Sequence, residues 1–455
     1  MVGERKSMSG VYGAFLATKQ IHDELHGFKP LWMPDWLFGF QSELTDWSIR
    51  TGRVLLAEDC GMGKTPQELV WAKNVVLKTR GNVLILAPLA VSHQFVREGK
   101  KFEIPVHHAG DGTVRNGINV VNYERLHHFC PGDFVGLVCD ESSILKHHDA
   151  QTRRDVSEFA AKLPYLLLAT ATPAPNDFME LGNSAEVLRV MKYQQMLAMY
   201  FVNDGETSSQ WRLRGHAKKK FWHWVSTWAR AVRKPSDLGY EDDGFILPPL
   251  KMEQYTVPSP PPAVGFLPML ARTLGEQRQE RRNTIHQRCE QVALLAPSDR
   301  PFIAWCHLNA EGDLLEELLP DAVQVAGCDD DQVKEDRLDR FSRGEIRVLV
   351  SKPRIAGFGL NWQHCSDVSF FPSHSWEQWY QAVRRCYRFG QTKTVTVNIV
   401  TSEAESLVLS NMKRKEKQAA EMYDGIVREM GEFQRHAEGG NHKAVREMGV
   451  PEWLR

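Results

Sequence analysis

Between residues 50 and 175, short apolar runs recur between polar, helix-length stretches: Val54-Leu55-Leu56, Val83-Leu84-Ile85-Leu86, Ile118-Asn119-Val120-Val121, Leu137-Val138-Cys139 and Leu166-Leu167-Leu168. Runs this short and apolar predict strands covered on both faces, and their alternation with helical segments predicts βαβ units on a parallel sheet. A second set follows at Phe302-Ile303-Ala304-Trp305, Val323-Gln324-Val325, Val348-Leu349-Val350, Val368-Ser369-Phe370-Phe371 and Val395-Thr396-Val397-Asn398-Ile399-Val400. Two α/β lobes in tandem are therefore expected. The stretch from about 185 to 290 lacks this rhythm and is broken by Leu247-Pro248-Pro249 and Pro258-Ser259-Pro260-Pro261-Pro262, which reads as the connector. The expected division is a first lobe over 1–250 that includes a basic and aromatic segment at about 185–250, a connector and helical brace over 251–292, a second lobe over 293–412 and a helical tail over 413–455. From Met412 to Arg435 the chain is rich in Lys, Arg, Glu and Met, which predicts an exposed helix or brace rather than core.

Composition narrows the class. A chain of 455 residues suits two lobes with connectors better than one small binding module. With 56 Lys+Arg against 57 Asp+Glu, the chain is neither a polycation nor an acidic tail, so any nucleic-acid surface must be a local patch. No apolar run approaches the roughly 18 residues of a membrane span, and the first ten residues do not read as a secretory signal. The eight cysteines are scattered without a C-x-x-C pair, which predicts a reducing cytoplasm and no structural zinc. A soluble, monomeric protein with no membrane partner is expected.

The strongest chemical signal is Ala57-Glu58-Asp59-Cys60-Gly61-Met62-Gly63-Lys64-Thr65, set between a predicted strand and a predicted helix. Glycines there let backbone N–H groups turn toward a phosphate at a helix N-terminus, Lys64 reaches β- and γ-phosphates, and the Thr65 hydroxyl suits Mg²⁺. Glu58 stands where the general phosphate-loop pattern has its first glycine. The second signal is Leu137-Val138-Cys139-Asp140-Glu141-Ser142-Ser143, a strand ending in two carboxylates. Asp140 suits a Mg²⁺-bound water and Glu141 suits polarising an attacking water. Taken alone, a strand-ending acidic pair reads rather as a solvated turn; beside the glycine loop it reads as catalytic.

In order along the chain, Phe40-Gln41, Gly61 to Thr65, Asp140 to Ser143 and Thr170-Ala171-Thr172-Pro173 resemble the first lobe of superfamily two helicases, and in detail the Swi/Snf-type DNA translocases. Leu86-Ala87-Pro88-Leu89, Val121-Asn122-Tyr123-Glu124 and Lys146 also resemble positions of that family. In the second half, Ala356-Gly357-Phe358-Gly359-Leu360-Asn361-Trp362-Gln363 is similar to GGLGLNLQ, and Gln381 to Gln391 is similar to QAxxRxxRxGQ. The resemblance covers about residues 36 to 410. Asp-Glu-Ser-Ser in place of Asp-Glu-Ala-His resembles versions encoded by phages and prophages, and chromatin-reading domains are missing from this length.

The resemblance implies two tandem RecA-like lobes, parallel sheets flanked by helices, with an ATP cleft between them. It implies ATP and Mg²⁺ as cofactors, a nucleotide-side set of Gln41, Gly61, Gly63, Lys64, Thr65 and Gly359, and Asp140 and Glu141 as catalytic carboxylates. Arg385 and Arg388, four and seven residues after Gln381, are expected to share one helix face and to reach the γ-phosphate. Gln41 is expected to read the adenine edge. The implied function is a DNA-dependent ATPase that translocates on double-stranded or forked DNA in a bacterial cytoplasm or phage-infected host. A strand-separating or branch-migrating helicase, an ATP-switched clamp without catalysis, and RNA as substrate are the rival readings.

Residues 208 to 234 hold eight Lys/Arg, no Asp or Glu, and five aromatics. Lys218, Lys219, Lys220 and Arg233 are the expected phosphate contacts, with Pro88 added by the resemblance. The tryptophans at 211, 222, 224 and 228 read as the packed face of an amphipathic helix, with stacking on exposed bases as the alternative. Arg278, Arg281, Arg282 and Arg288 read as a solvated face, and the acidic stretch 311–339 is expected to face away from DNA.

Overall fold

A computed structural model of the chain describes residues 26–146, 150–203, 211–259, 274–357 and 360–437. Seven strands form the first sheet: β1 (Arg53–Glu58), β2 (Asn82–Ala87), β3 (Val106–His108), β4 (Ile118–Asn122), β5 (Phe134–Cys139), β6 (Tyr165–Thr170) and β9 (Ala229–Val232). Between β6 and β9, β7 (Phe201–Asn203) and β8 (Trp211–Leu213) pair as a separate antiparallel ribbon. The second sheet contains β10 (Leu250–Val257), β11 (Phe302–Trp305), β12 (Ala322–Val325), β13 (Val348–Ser351), β14 (Asp367–Phe370) and β15 (Val395–Ser402). Strand orders are 3-4-2-5-6-1-9 and 10-15-14-11-13-12, and every pairing in both sheets is parallel. The fold is mixed α/β, with two helix-flanked parallel sheets, consistent with two RecA-like lobes. Parallel strands need crossovers, and those crossovers cover both faces, so the central strands are apolar from end to end. Val54, Leu55, Leu84, Ile85 and Val138 are fully buried accordingly.

All ten apolar runs read from the sequence fall on strands, the one at 368–371 overrunning β14 by Phe371. The strands it misses are edges or short pieces. β10 falls where a connector is expected to begin, yet it pairs along its whole length with β15. Its Leu-Lys-Met-Glu-Gln-Tyr-Thr-Val alternation leaves most of its side chains partly or fully exposed, as suits an edge.

The segment 185–250, expected to lack regular rhythm, contains the helices Tyr193–Tyr200 and Lys218–Trp228. On the latter, Phe221, Trp222, Trp224, Val225 and Trp228 are buried in the first core, while Lys218, Lys219 and Lys220 are exposed. Trp222, Trp224 and Trp228 thus pack as the amphipathic pattern predicts, whereas Trp211 lies outside the helix, half-buried in β8.

The helix Ser406–Ala437 departs from the expected exposed brace. Met422, Tyr423, Ile426 and Met430 lie on one face and join the first lobe's core, although the helix follows the last strand of the second sheet. The Tyr423 hydroxyl donates to Ala171 O at 2.7 Å, and Lys415 Nζ bonds Asn176 Oδ1 and His374 O, so the helix straps both lobes. Its apolar stripe is hidden in the sequence by flanking Lys and Glu.

A further correction concerns charge. Arg288 is buried and paired with buried Glu311 at 2.7 Å, and Arg281 bonds Glu405 and Pro372 O, so these two arginines are not on a solvated face. On the acidic helix Asp331–Ser342, Glu335 and Asp339 face His93 and Arg97 of the first lobe at 3.5 and 3.7 Å. No helix among the described residues is long and apolar enough to cross a membrane.

Trp222→Ala opens a cavity in the first core and is expected to cost about 3–5 kcal/mol. Urea unfolding checks this, and an unchanged midpoint would show that the ring carries no core packing.

Candidate active site

Strand β1 ends at Glu58 and the helix Lys64–Thr79 begins shortly after it, so the glycine loop sits at the carboxyl edge of the first sheet against a helix N-terminus. Gly61 and Gly63 have φ of +92° and +81°, values that other residues rarely adopt. A Cβ on Gly61 would come within 2.8 Å of Phe389 N, and one on Gly63 within 2.3 Å of Gln41 Nε2. The loop is thus pressed from both lobes. Lys64 Nζ donates to Glu58 O at 2.9 Å and, more weakly, to Asp59 O, folding back on the loop's own carbonyls. Thr65, partly exposed, lies in the first helical turn.

Gln41 is placed differently from the expected adenine reader. Its Oε1 accepts from Phe38 N at 3.1 Å and its Nε2 donates to Met62 O at 2.8 Å, so both ends of the buried amide brace the loop. Gly359 lies outside the described residues.

Asp140 and Glu141 follow β5, which is separated from β1 by β6 alone, and both are buried. Asp140 Oδ1 accepts from Glu141 N at 2.9 Å. Glu141 has φ of +49°, a left-handed backbone for a non-glycine residue that costs energy and is common at functional sites. Burial and the neighbouring Glu141 push the Asp140 carboxyl up to about 7, with Lys64 opposing. Burial likewise raises Glu58 to about 7, offset in part by Lys64 and by the 2.8 Å hydrogen bond from Gln67 Nε2. Glu68, one helical turn beyond Lys64, is buried with neither carboxylate oxygen partnered, and burial and Asp140 hold its pKa well above the ordinary range. Enclosure works against the charge of Lys64, yet Cys60 and the surrounding carboxylates outweigh it and raise its pKa.

The second lobe closes over this loop. Arg385 and Arg388 do not share a helix face: the helix Trp376–Val383 ends before them, and both lie in the turn that follows. Arg385 is buried and bonds within its own lobe to Gln381 O, Gln381 Oε1 and Leu360 O at 3.0, 2.8 and 3.2 Å. This orients Gln381, whose Nε2 reaches Glu141 Oε2 at 3.4 Å. Arg388 makes one bond, to Leu360 O at 3.2 Å, and its buried Nε has no partner. Burial and the charge of Arg385 lower its pKa to about 10. Its Cβ lies 3.5 Å from where a Cβ on Gly61 would stand.

Sequence reasoning missed the other lobe-to-lobe contacts. Arg384 Nη2 donates to Asp59 Oδ2 at 2.7 Å, and the Tyr380 hydroxyl donates to Asp59 Oδ1. Buried Glu377 takes an ion pair from Lys146 and a 3.4 Å hydrogen bond from Thr172. The spacing 377, 380, 381, 384 was the available signal. Pro88 precedes the helix Leu89–Lys101 and, with Glu141, Lys146 and Glu377, lines an interlobe cavity of about 530 Å³. Lys219 and Lys220 line a separate surface pocket with Arg214 and His223, far along the chain from that cavity's lining. Arg233 Nη2 donates to Asp424 of the strap helix at 2.7 Å, in a pair that remains open to solvent.

The loop offers an anion cradle: a helix N-terminus, an enclosed ammonium and an unpartnered guanidinium edge from the second lobe. The surplus of carboxylates around it favours a cation as well. No three His, Cys, Asp or Glu side chains form a ready metal cage among the described residues.

No protein-family model matches the chain. A curated protein similar to it is the CHD3-type chromatin-remodeling factor CHR7 of Arabidopsis thaliana, 23% identical over 188 residues, which is 36% of this chain and 15% of the relative's length. The chain therefore spans a small part of that relative, and the likeness supports the helicase resemblance at the level of the superfamily.

Glu58 gives a pH test. Its folded-state pKa lies above the unfolded value of 4.5, so the folded state binds the extra proton. The associated stability is present below pH 4.5 and is lost as pH rises through about 7. Glu58→Gln is expected to remove roughly 1–3 kcal/mol of the decline in unfolding free energy between pH 5 and 8. Parallel pH profiles for both proteins would refute the assignment.

Proposed function

We propose that this chain is an ATP-dependent DNA translocase-like motor, hydrolysing ATP where the phosphate loop of the first lobe meets the arginine turn of the second. The observation that carries the reading is the convergence of Lys64, Asp140 and Glu141 with Gln381 and the spare donor of Arg388. In this reading ATP is the substrate. The loop N–H groups and Lys64 would hold its phosphates, and Thr65 and Asp140 would hold Mg²⁺, which when bound would neutralise phosphate charge. Glu141, held by Gln381, accepts a proton from the attacking water. Arg388 stabilises charge that develops in the transition state. Arg385, expected as a second finger, is assigned instead to orienting Gln381. DNA, double-stranded or forked, is proposed as the partner, with Lys218, Lys219 and Lys220 contacting its phosphates.

Three variants test the chemistry through ATPase kinetics with and without duplex DNA. Lys64→Ala should lose hydrolysis and nucleotide affinity together, whereas Glu141→Gln should bind ATP and turn it over slowly. Arg388→Ala should lower kcat by roughly 10³-fold or more with little loss of ATP binding. A Glu141→Gln enzyme as fast as wild type, or an unchanged kcat for Arg388→Ala, would overturn the respective role.

The partner is tested by salt. The triple Lys218/219/220→Ala variant should bind duplex more weakly, with a log K against log[salt] slope shallower by about 0.9 for each phosphate the lysines no longer neutralise. Equal slopes would remove these lysines from the DNA surface.

A further inference from the structure

The helix Trp376–Val383 and the turn after it carry a stripe that the proposed chemistry uses at one position only. Glu377, Tyr380, Gln381 and Arg384 stand at i, i+3, i+4 and i+7, the spacing that aligns side chains on one side of a helix. All four bond to the first lobe. Glu377 meets Lys146 and Thr172, Tyr380 and Arg384 both meet Asp59, and Gln381 meets Glu141. The two ends have opposite charge, and so do their targets: the acidic end faces a lysine beyond the acidic pair, and the basic end faces an aspartate in the glycine loop.

Both terminal pairs are largely withdrawn from solvent, with side-chain exposures of 18% and 6% for Lys146 and Glu377 and of 17% and 11% for Arg384 and Asp59. Removing one partner of such a pair leaves a desolvated charge behind, so misdocking is penalised more heavily than correct docking is rewarded. A polar contact of this kind adds little to stability over an apolar one, but it discriminates strongly between registers. A shift of the helix along its axis, or its reversal, separates both pairs at once. Arg388 lies four residues beyond Arg384 in the same turn, so the register of the stripe decides where Arg388 stands over Gly61.

We propose that the 377–384 stripe is an interlobe register ruler, in which Glu377 and Arg384 are positioning residues that seat the second lobe on the first and thereby aim Arg388. The catalytic consequence rests on the function proposed above; the seating itself does not.

The protein supplies its own labelling sites. Of its eight cysteines only Cys130, between β4 and β5, and Cys328, between β12 and the helix Asp331–Ser342, are exposed. Spin labels on these two report the separation of the lobes without any substrate. Wild type should give one narrow distance, and Glu377→Gln/Arg384→Met a broad distribution. Arg384→Lys, which keeps the charge, should stay narrow. Glu377→Lys should broaden the distribution, and Lys146→Glu/Glu377→Lys should narrow it again, a rescue that general damage to the fold would not produce. In ATPase assays the Glu377→Gln/Arg384→Met variant should lose about 10²-fold in kcat, as a misplacement on the order of 1 Å does, with KM for ATP within about threefold of wild type.

An unaltered distance distribution in Glu377→Gln/Arg384→Met overturns the ruler, as does a reversed pair no narrower than Glu377→Lys alone. If the wild type hydrolyses no ATP while the distances behave as expected, the motor reading fails and the ruler stands. Normal hydrolysis with unmoved distances sinks the ruler alone.

Discussion

Four carboxylates, Glu58, Glu68, Asp140 and Glu141, crowd around the single ammonium of Lys64 at one edge of the first sheet. Within the first lobe this arrangement is short of positive charge, and burial makes the deficit expensive: Glu58, Glu68 and Asp140 are all shifted toward their neutral forms. The guanidiniums of Arg384, Arg385 and Arg388 approach from the second lobe. The site is therefore electrostatically incomplete until the lobes meet, and much of the remaining architecture serves that meeting.

The parallel sheets explain how such different segments converge. In a parallel sheet every strand ends on the same edge, so the glycine loop after β1, the acidic pair after β5 and Thr172 after β6 share one edge although they are distant in sequence. The strap helix Ser406–Ala437 adds a covalent constraint on their partner. By burying Met422, Tyr423, Ile426 and Met430 in the first core, it returns the chain from the second sheet to the first and limits how far the lobes can separate. The same first core takes the tryptophan face of Lys218–Trp228, which leaves that helix's lysine end exposed at the surface.

Arg385 and Arg388 show how neighbouring residues of one type acquire different work. The helix stops at Val383, so the two side chains leave a turn rather than a common helix face. Arg385 finds three acceptors in its own lobe and is held by them against Gln381 and Leu360. Arg388 finds one and keeps a buried donor unpaired. An unsatisfied buried donor is costly, and its position over Gly61 gives that cost a functional reading in the motor proposed here.

The sequence by itself determined the nine central strands and edge strand β12, the glycine loop and the acidic strand end, because these follow from local rules: apolar runs for strands, glycine where φ is positive, carboxylates where a strand meets its loop. It determined equally that the tryptophans of 218–228 would pack, since their spacing is helical. Only the tertiary structure decided what depends on partners distant in the chain. Edge strand β10 is recognisable by pairing with β15 rather than by hydrophobicity. Arg288 looks like a surface cation until Glu311 is placed beside it in the core. Gln41 is turned to the loop by Met62, and the apolar stripe of the strap helix has meaning only against the first core. Above all, the 377–384 stripe consists of ordinary polar residues, and its significance lies entirely in Lys146, Thr172, Asp59 and Glu141, which the other lobe brings to it.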